Sequence, residues 1–147
     1  MQQFSLKVQI NEQRPDFPVF KAFFFGDDFH NCDSDGDASP VYSRNWTELY
    51  MRSRENKQWF DIQCIEKDNL TFKITSDTEE NVYRIAYFLA KKTNGAILNN
   101  ENQIINKDNV FSKMGNFDLE ERLHLAEKSI WRKSSKENPY PNLQKEK

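Results

Sequence analysis

The residues best equipped for chemistry fall between Gly26 and Pro40, in the run GDDFHNCDSDGDASP, which holds Asp27, Asp28, Asp33, Asp35 and Asp37 together with His30 and Cys32. Alternate aspartates can turn toward one hard cation, so DSDGD invites a calcium reading. The register disagrees. A calcium loop of the EF-hand kind has glycine at about the sixth position and a bidentate glutamate at about the twelfth, whereas counting from Asp33 puts Gly36 fourth and Arg44 twelfth. His30 beside Cys32, Asp33 and Asp35 has the residue types of a nucleophile with a base. Catalysis also needs an oriented base and preorganised oxyanion donors, which spacing alone does not supply. His124 falls between Leu123 and Leu125 on an expected helix. A glycine-rich phosphate loop, GxSxG, HExxH and a paired-cysteine zinc pattern are all lacking. The expectation is no catalytic residue, no metal and no cofactor.

Like charges gathered in one glycine-containing segment repel one another and bury little apolar area, so folding alone gives no reason for the aspartates to cluster. A basic partner would relieve that repulsion. Downstream, Arg44, Arg52, Arg54 and Lys57 interleave with Trp46, Tyr50 and Trp59. Single-stranded nucleic acid proteins use this mixture for phosphate contact and base stacking, and protein interfaces are enriched in the same residue types. A formal charge of −2 and a pI near 5.7 favour a protein partner over nucleic acid. The expected partner-binding set is Asp27, Asp28, Asp33, Asp35, Asp37, Arg44, Trp46, Arg52 and Trp59.

The elements that must carry these residues can be read from periodicity. Phe4, Leu6, Val8 and Ile10 alternate with polar residues as in a strand with one buried face. Asn11 to Pro18 reads as a loop, and Val19 to Phe25, apolar on both sides, as a central strand. Gly26 to Pro40 reads as an acidic loop. Trp46 to Arg52 fits a strand, with Leu49 and Met51 facing opposite to Trp46, Glu48 and Tyr50, or a short helix. Phe60, Ile62 and Cys64, then a turn at Lys67 to Asn69, then Leu70, Phe72 and Ile74 make a hairpin. Ser76 or Asp77 can cap a helix through a capping box with Glu79 or Glu80, its stripe formed by Val82, Ile85, Ala86, Leu89 and Ala90 and its end marked by Asn94-Gly95. Ala96 to Leu98 and Gln103 to Ile105 read as short strands, and Asp108 to Met114 as one or two helical turns. Asp118 caps a last helix with Leu119, Leu123, Ala126 and Ile130 on one stripe and Arg132 and Lys133 in its last turn.

The segment NVYRIAYFLAKKTNGAILNN, with the preceding hairpin WFDIQCIEKDNLTFKIT, resembles bacterial immunity proteins of polymorphic and type VI secretion toxin systems, in which a hairpin leads into a helix of the form LAxxTxG and then a short strand. The resemblance covers about the middle half of the chain. It implies a small cytoplasmic α+β protein that binds and blocks one cognate toxin with no reaction of its own. This chain has TNG at positions 93 to 95 where TGG is expected, and the resemblance assigns no individual functional residue.

At 147 residues, with 12 phenylalanines to fill a core, one domain is expected. Its bounds are 1–135, with a polar tail at 136–147. MQQFSLKVQI lacks the basic start and long apolar run of a signal peptide or anchor, so cytoplasm is the expected address. Two cysteines, Cys32 and Cys64, far apart and outside any CxxC, suit a reduced pair there. The expected fold is α+β, a mostly antiparallel sheet with the Asp77 and Asp118 helices packed on one face. The expected function is toxin neutralisation, without membrane or nucleic-acid contact. The alternatives are a small enzyme using His30 with its acidic neighbours, and a single-stranded nucleic-acid module using residues 44–59.

Overall fold

In the computed structural model of the chain, the described residues are 3–14, 17–26, 32–36, 46–54, 58–65, 70–115, 117–129 and 137, with backbone alone at 17–18 and 32–36. Their strands are β1 (Phe4–Gln9), β2 (Cys32–Gly36), β3 (Glu48–Ser53), β4 (Trp59–Cys64), β5 (Thr71–Ser76) and β6 (Ala96–Leu98). The helices are α1 (Phe17–Phe20), continued by a π-helical turn at Lys21–Phe25, then α2 (Glu79–Thr93), α3 (Lys107–Lys113) and α4 (Leu119–Glu127). The strands form one six-stranded sheet in the order β2-β3-β4-β5-β1-β6, antiparallel throughout. The fold is α+β.

Register explains why one side of this sheet is dry. Val8 lies opposite Phe72, Leu6 opposite Ile74, Ile74 opposite Ile62, Ile62 opposite Leu49, and Phe60 opposite Met51. A strand period of two therefore gathers all of these on one face, and every one is buried. Helix α2 covers that face with Val82, Ile85, Ala86, Phe88 and Leu89. Rings supply much of the volume. Phe20 meets Trp46, Phe60 and Phe88 at 5.9, 5.9 and 5.0 Å, and Phe23 stacks on Phe88 at 4.3 Å. Helix α4 packs chiefly on the π-helical turn, where the Arg122 guanidinium donates to the Phe23 and Phe24 carbonyls at 3.1 and 2.6 Å.

Several elements depart from expectation. Val19 to Phe25 is helical, so it is not a central strand. A run apolar except for Lys21 suits a largely buried helix as well as a buried strand, and Pro18 is at home in a first helical turn, where its missing N–H is no loss. The acidic segment is not wholly a loop, because Cys32–Gly36 pairs with β3. Residues 48–53 are strand, which removes the helical alternative. The α2 cap is Thr78, whose hydroxyl accepts from the Asn81 N–H at 3.3 Å; Ser76 instead belongs to β5 and donates to the Trp59 carbonyl at 2.8 Å.

At the other end of α2, Asn94 takes the left-handed conformation, with φ of 52°. Gly95 is required for closeness rather than for its dihedral freedom, since a Cβ there would meet the Gln9 carbonyl oxygen at 2.2 Å. Residues 103–105 contribute a single bridge, Ile104 to Leu98. The Asp118 cap is present, accepting from the Glu121 N–H at 3.4 Å, but α4 ends at Glu127, before Arg132 and Lys133. The turn at 67–69, Ile130, and the tail at 136–147 apart from residue 137 lie outside the described residues.

Candidate functional site

The face of the sheet away from α2 is polar, and its alternation is as regular as that of the core. Along β3, Glu48 and Arg52 are exposed and Tyr50 is half-buried, while Leu49, Met51 and Ser53 point inward. Along β4, Trp59, Asp61 and Gln63 share the same outer side. Pairing then draws rows across the strands. One runs Asp33, Arg52, Trp59; the next runs Asp35, Tyr50, Asp61, Thr75, Ser5; a third runs Glu48, Gln63, Lys73, Lys7. For the two aspartates of β2 this is backbone register. The Tyr50 and Trp59 rings touch diagonally, with centroids 6.0 Å apart and planes inclined by 33°.

Electrostatically the face is graded. Partial burial pushes the Asp61 carboxyl above its ordinary range, the nearby Glu48 carboxylate pushes it further, and a hydrogen bond from the Ile62 backbone works in the opposite direction. Toward the sheet centre the sign reverses at Lys73 and Lys7, the latter donating to the Asn102 side chain at 2.9 Å. The β3–β4 part of this face thus joins two partly exposed rings, the exposed Arg52 guanidinium and the Asp61 carboxyl repelled by Glu48, with Asp33 and Asp35 brought alongside by backbone register. Arginine and aromatic residues are among the types enriched at protein interfaces.

The structure redistributes the expected site residues. Arg52 and Trp59, seven positions apart in sequence, become direct cross-strand neighbours. Asp33 and Asp35 join their rows through β2. Trp46 leaves the surface: it is 1% exposed and packs against Phe20 and Phe72, because it precedes the strand and does not share the outward parity of Glu48 and Tyr50. Asp27, Asp28, Asp37 and Arg44 lie outside the described residues, as do His30 and Lys57. His124 is exposed on α4. Glu48 and Asp61 were missed as site residues, and Tyr50 was seen only as part of the Arg and Trp stretch. The signal was the alternation itself, since a polar residue between Phe60 and Ile62 must face away from the core.

Among the described residues, no group of three or more His, Cys, Asp and Glu could hold a metal ion, and no helix is long and apolar enough to cross a membrane. With this geometry in hand, comparison with known proteins adds no relative: no family model, no curated protein and no solved structure matches the chain.

Proposed function

We propose that this protein binds and neutralises a bacterial toxin in the cytoplasm, using the outer sheet face where β2, β3 and β4 meet, and catalyses no reaction of its own. The observation that supports a binding role is the pair of rows Asp33, Arg52, Trp59 and Asp35, Tyr50, Asp61. Aromatic and arginine anchors are the residues that dominate binding energy at protein interfaces, and here they stand beside the partly desolvated Asp61 carboxyl. The resemblance of the hairpin, helix and strand to immunity proteins supplies the kind of partner. A cationic toxin site would relieve the repulsion between Asp61 and Glu48, and the acidic end would speed the encounter.

The test is kinetic. With the cognate toxin, Asp33→Asn combined with Asp35→Asn should slow association about tenfold at low salt and much less at ~0.5 M salt, with thermal stability nearly unchanged. Trp59→Ala should chiefly speed dissociation, by about thirtyfold if the ring is an anchor worth ~2 kcal/mol. Wild-type rates in both variants would remove this face from the interface. Tight, salt-sensitive binding of single-stranded RNA or DNA that is lost in Trp59→Ala would replace the toxin reading with the nucleic-acid one.

A further inference from the structure

At the opposite end of the sheet from β2, a cleft of about 480 Å³ opens between the second half of α2, strand β6 and the first turn of α3. Its apolar lining comes from Tyr87, Ala90, Ile97, Ile104, Ile105 and Val110. Among the described residues, the charged ones lining it are Lys91 and Lys107, both exposed. Neither side chain forms an ion pair or a hydrogen bond among the described residues. Other lysines on the same helices are engaged, Lys92 with Glu127 and Lys113 with Glu79 at 3.7 Å.

A single exposed isoleucine is ordinary, but Ile104, at 75% exposure, does not stand alone. Phe111 is 43% exposed and its ring lies 5.4 Å from that of Tyr87, which extends the apolar lining onto the surface. The volume falls in the range of roughly 300–1,000 Å³ typical of ligand clefts. A chain of net charge −2 that lines an apolar recess with two cations and, among the described lining residues, no carboxylate has a site of the opposite polarity to its acidic β2 end.

We propose that this cleft receives an apolar side chain from an acidic segment of a partner protein. The side chain enters between Tyr87, Ile97 and Val110, and carboxylates flanking it in the partner meet Lys91 and Lys107. Charge complementarity selects a peptide of this composition over a basic one, and the exposed Ile104 and Phe111 continue the apolar lining onto the surface, where a chain segment can lie. The inference does not rest on the toxin reading, because it concerns the other edge of the sheet and ligands of opposite charge to those expected at the β2–β4 face.

Fluorescein-labelled seven-residue peptides provide the test, one with a central leucine pair flanked by aspartates and one with the aspartates replaced by lysines. Fluorescence anisotropy should show saturable binding of the acidic peptide and about tenfold weaker binding of the basic one. Lys91→Glu combined with Lys107→Glu, a change confined to exposed side chains, should weaken the acidic peptide at least about tenfold, and Ile104→Ala should weaken it without altering its salt dependence. Amide chemical-shift changes should centre on residues 87–98 and 104–110. The proposal is overturned by equal affinity for both peptides, by binding indifferent to the double lysine reversal, or by no binding up to about 1 mM. Binding of decanoate at the same residues in place of peptide would equally overturn it, identifying a small-molecule carboxylate site.

Discussion

Asp61 sits where a sheet surface half-covers its carboxyl and brings Glu48 close, and both effects hold its proton more tightly in the folded chain than in the unfolded one. Between the ordinary aspartate value, about 3.9, and the raised one, the folded state therefore binds more protons, and stability falls as pH rises through that window. Below the window both states are protonated and the penalty vanishes; above it the penalty is fully present. Asp61→Asn is accordingly expected to raise the denaturant midpoint at pH 7, with the gain shrinking to nothing near pH 3, as read from urea unfolding across pH. A gain that persists at low pH would show that the amide stabilises by another route. This carboxyl was readable as surface-facing from the sequence, but its strain was not, because Glu48 reaches it only through the register of β3 against β4. The same register made neighbours of Arg52 and Trp59. Trp46 misled for the complementary reason: the outward parity of β3 does not extend to a residue ahead of the strand.

At the scale of the element, α4 joins the core through Ala126, with Leu119 and Leu123 packed beside it, and is held to the π-helical turn by its first turns. Asp118 accepts the Glu121 N–H, and Arg122, one residue further on, secures the π-helical turn through the Phe23 and Phe24 carbonyls. Phe117 lies between Arg122 and Arg84, whose guanidinium carbons are 4.8 and 4.4 Å from its ring centroid. Asp118→Ala should cost about 0.5–1 kcal/mol in chemical denaturation, and Asp118→Asn, which keeps the side-chain acceptor, should recover most of it. Equal losses in the two variants would assign the effect to charge alone. The hairpin, the α2 stripe and this cap were legible because each rests on local period or local hydrogen bonding. Two elements were not. Val19–Phe25 is apolar except at Lys21, which leaves too few polar positions to set a period, and β2 holds its place through backbone pairing to one neighbour among the described residues, which leaves no hydrophobic alternation to read.

Across the whole molecule, the outer sheet face carries acidic groups toward β2 and lysines toward β1, so a partner with a complementary gradient would be oriented as well as attracted. A further consequence follows from where the aspartates of β2 are. That strand is the last in the sheet order, with a neighbour on one side only among the described residues. Terminal strands are templates on which a second copy of the same chain can hydrogen-bond, and proteins guard them with charge. A CDSDG strand meeting its own copy would set aspartates against aspartates, so the acidity proposed to meet a basic partner would also oppose polymerisation of the protein with itself. Asp33→Val combined with Asp35→Val should shift sedimentation velocity profiles from monomer toward dimers and larger species as concentration rises, while the wild-type chain should do so only in acid, once its carboxylates are neutral. Solubility and recognition would then be two uses of one strand, and a variant selected to bind a less basic target would carry a growing risk of aggregation.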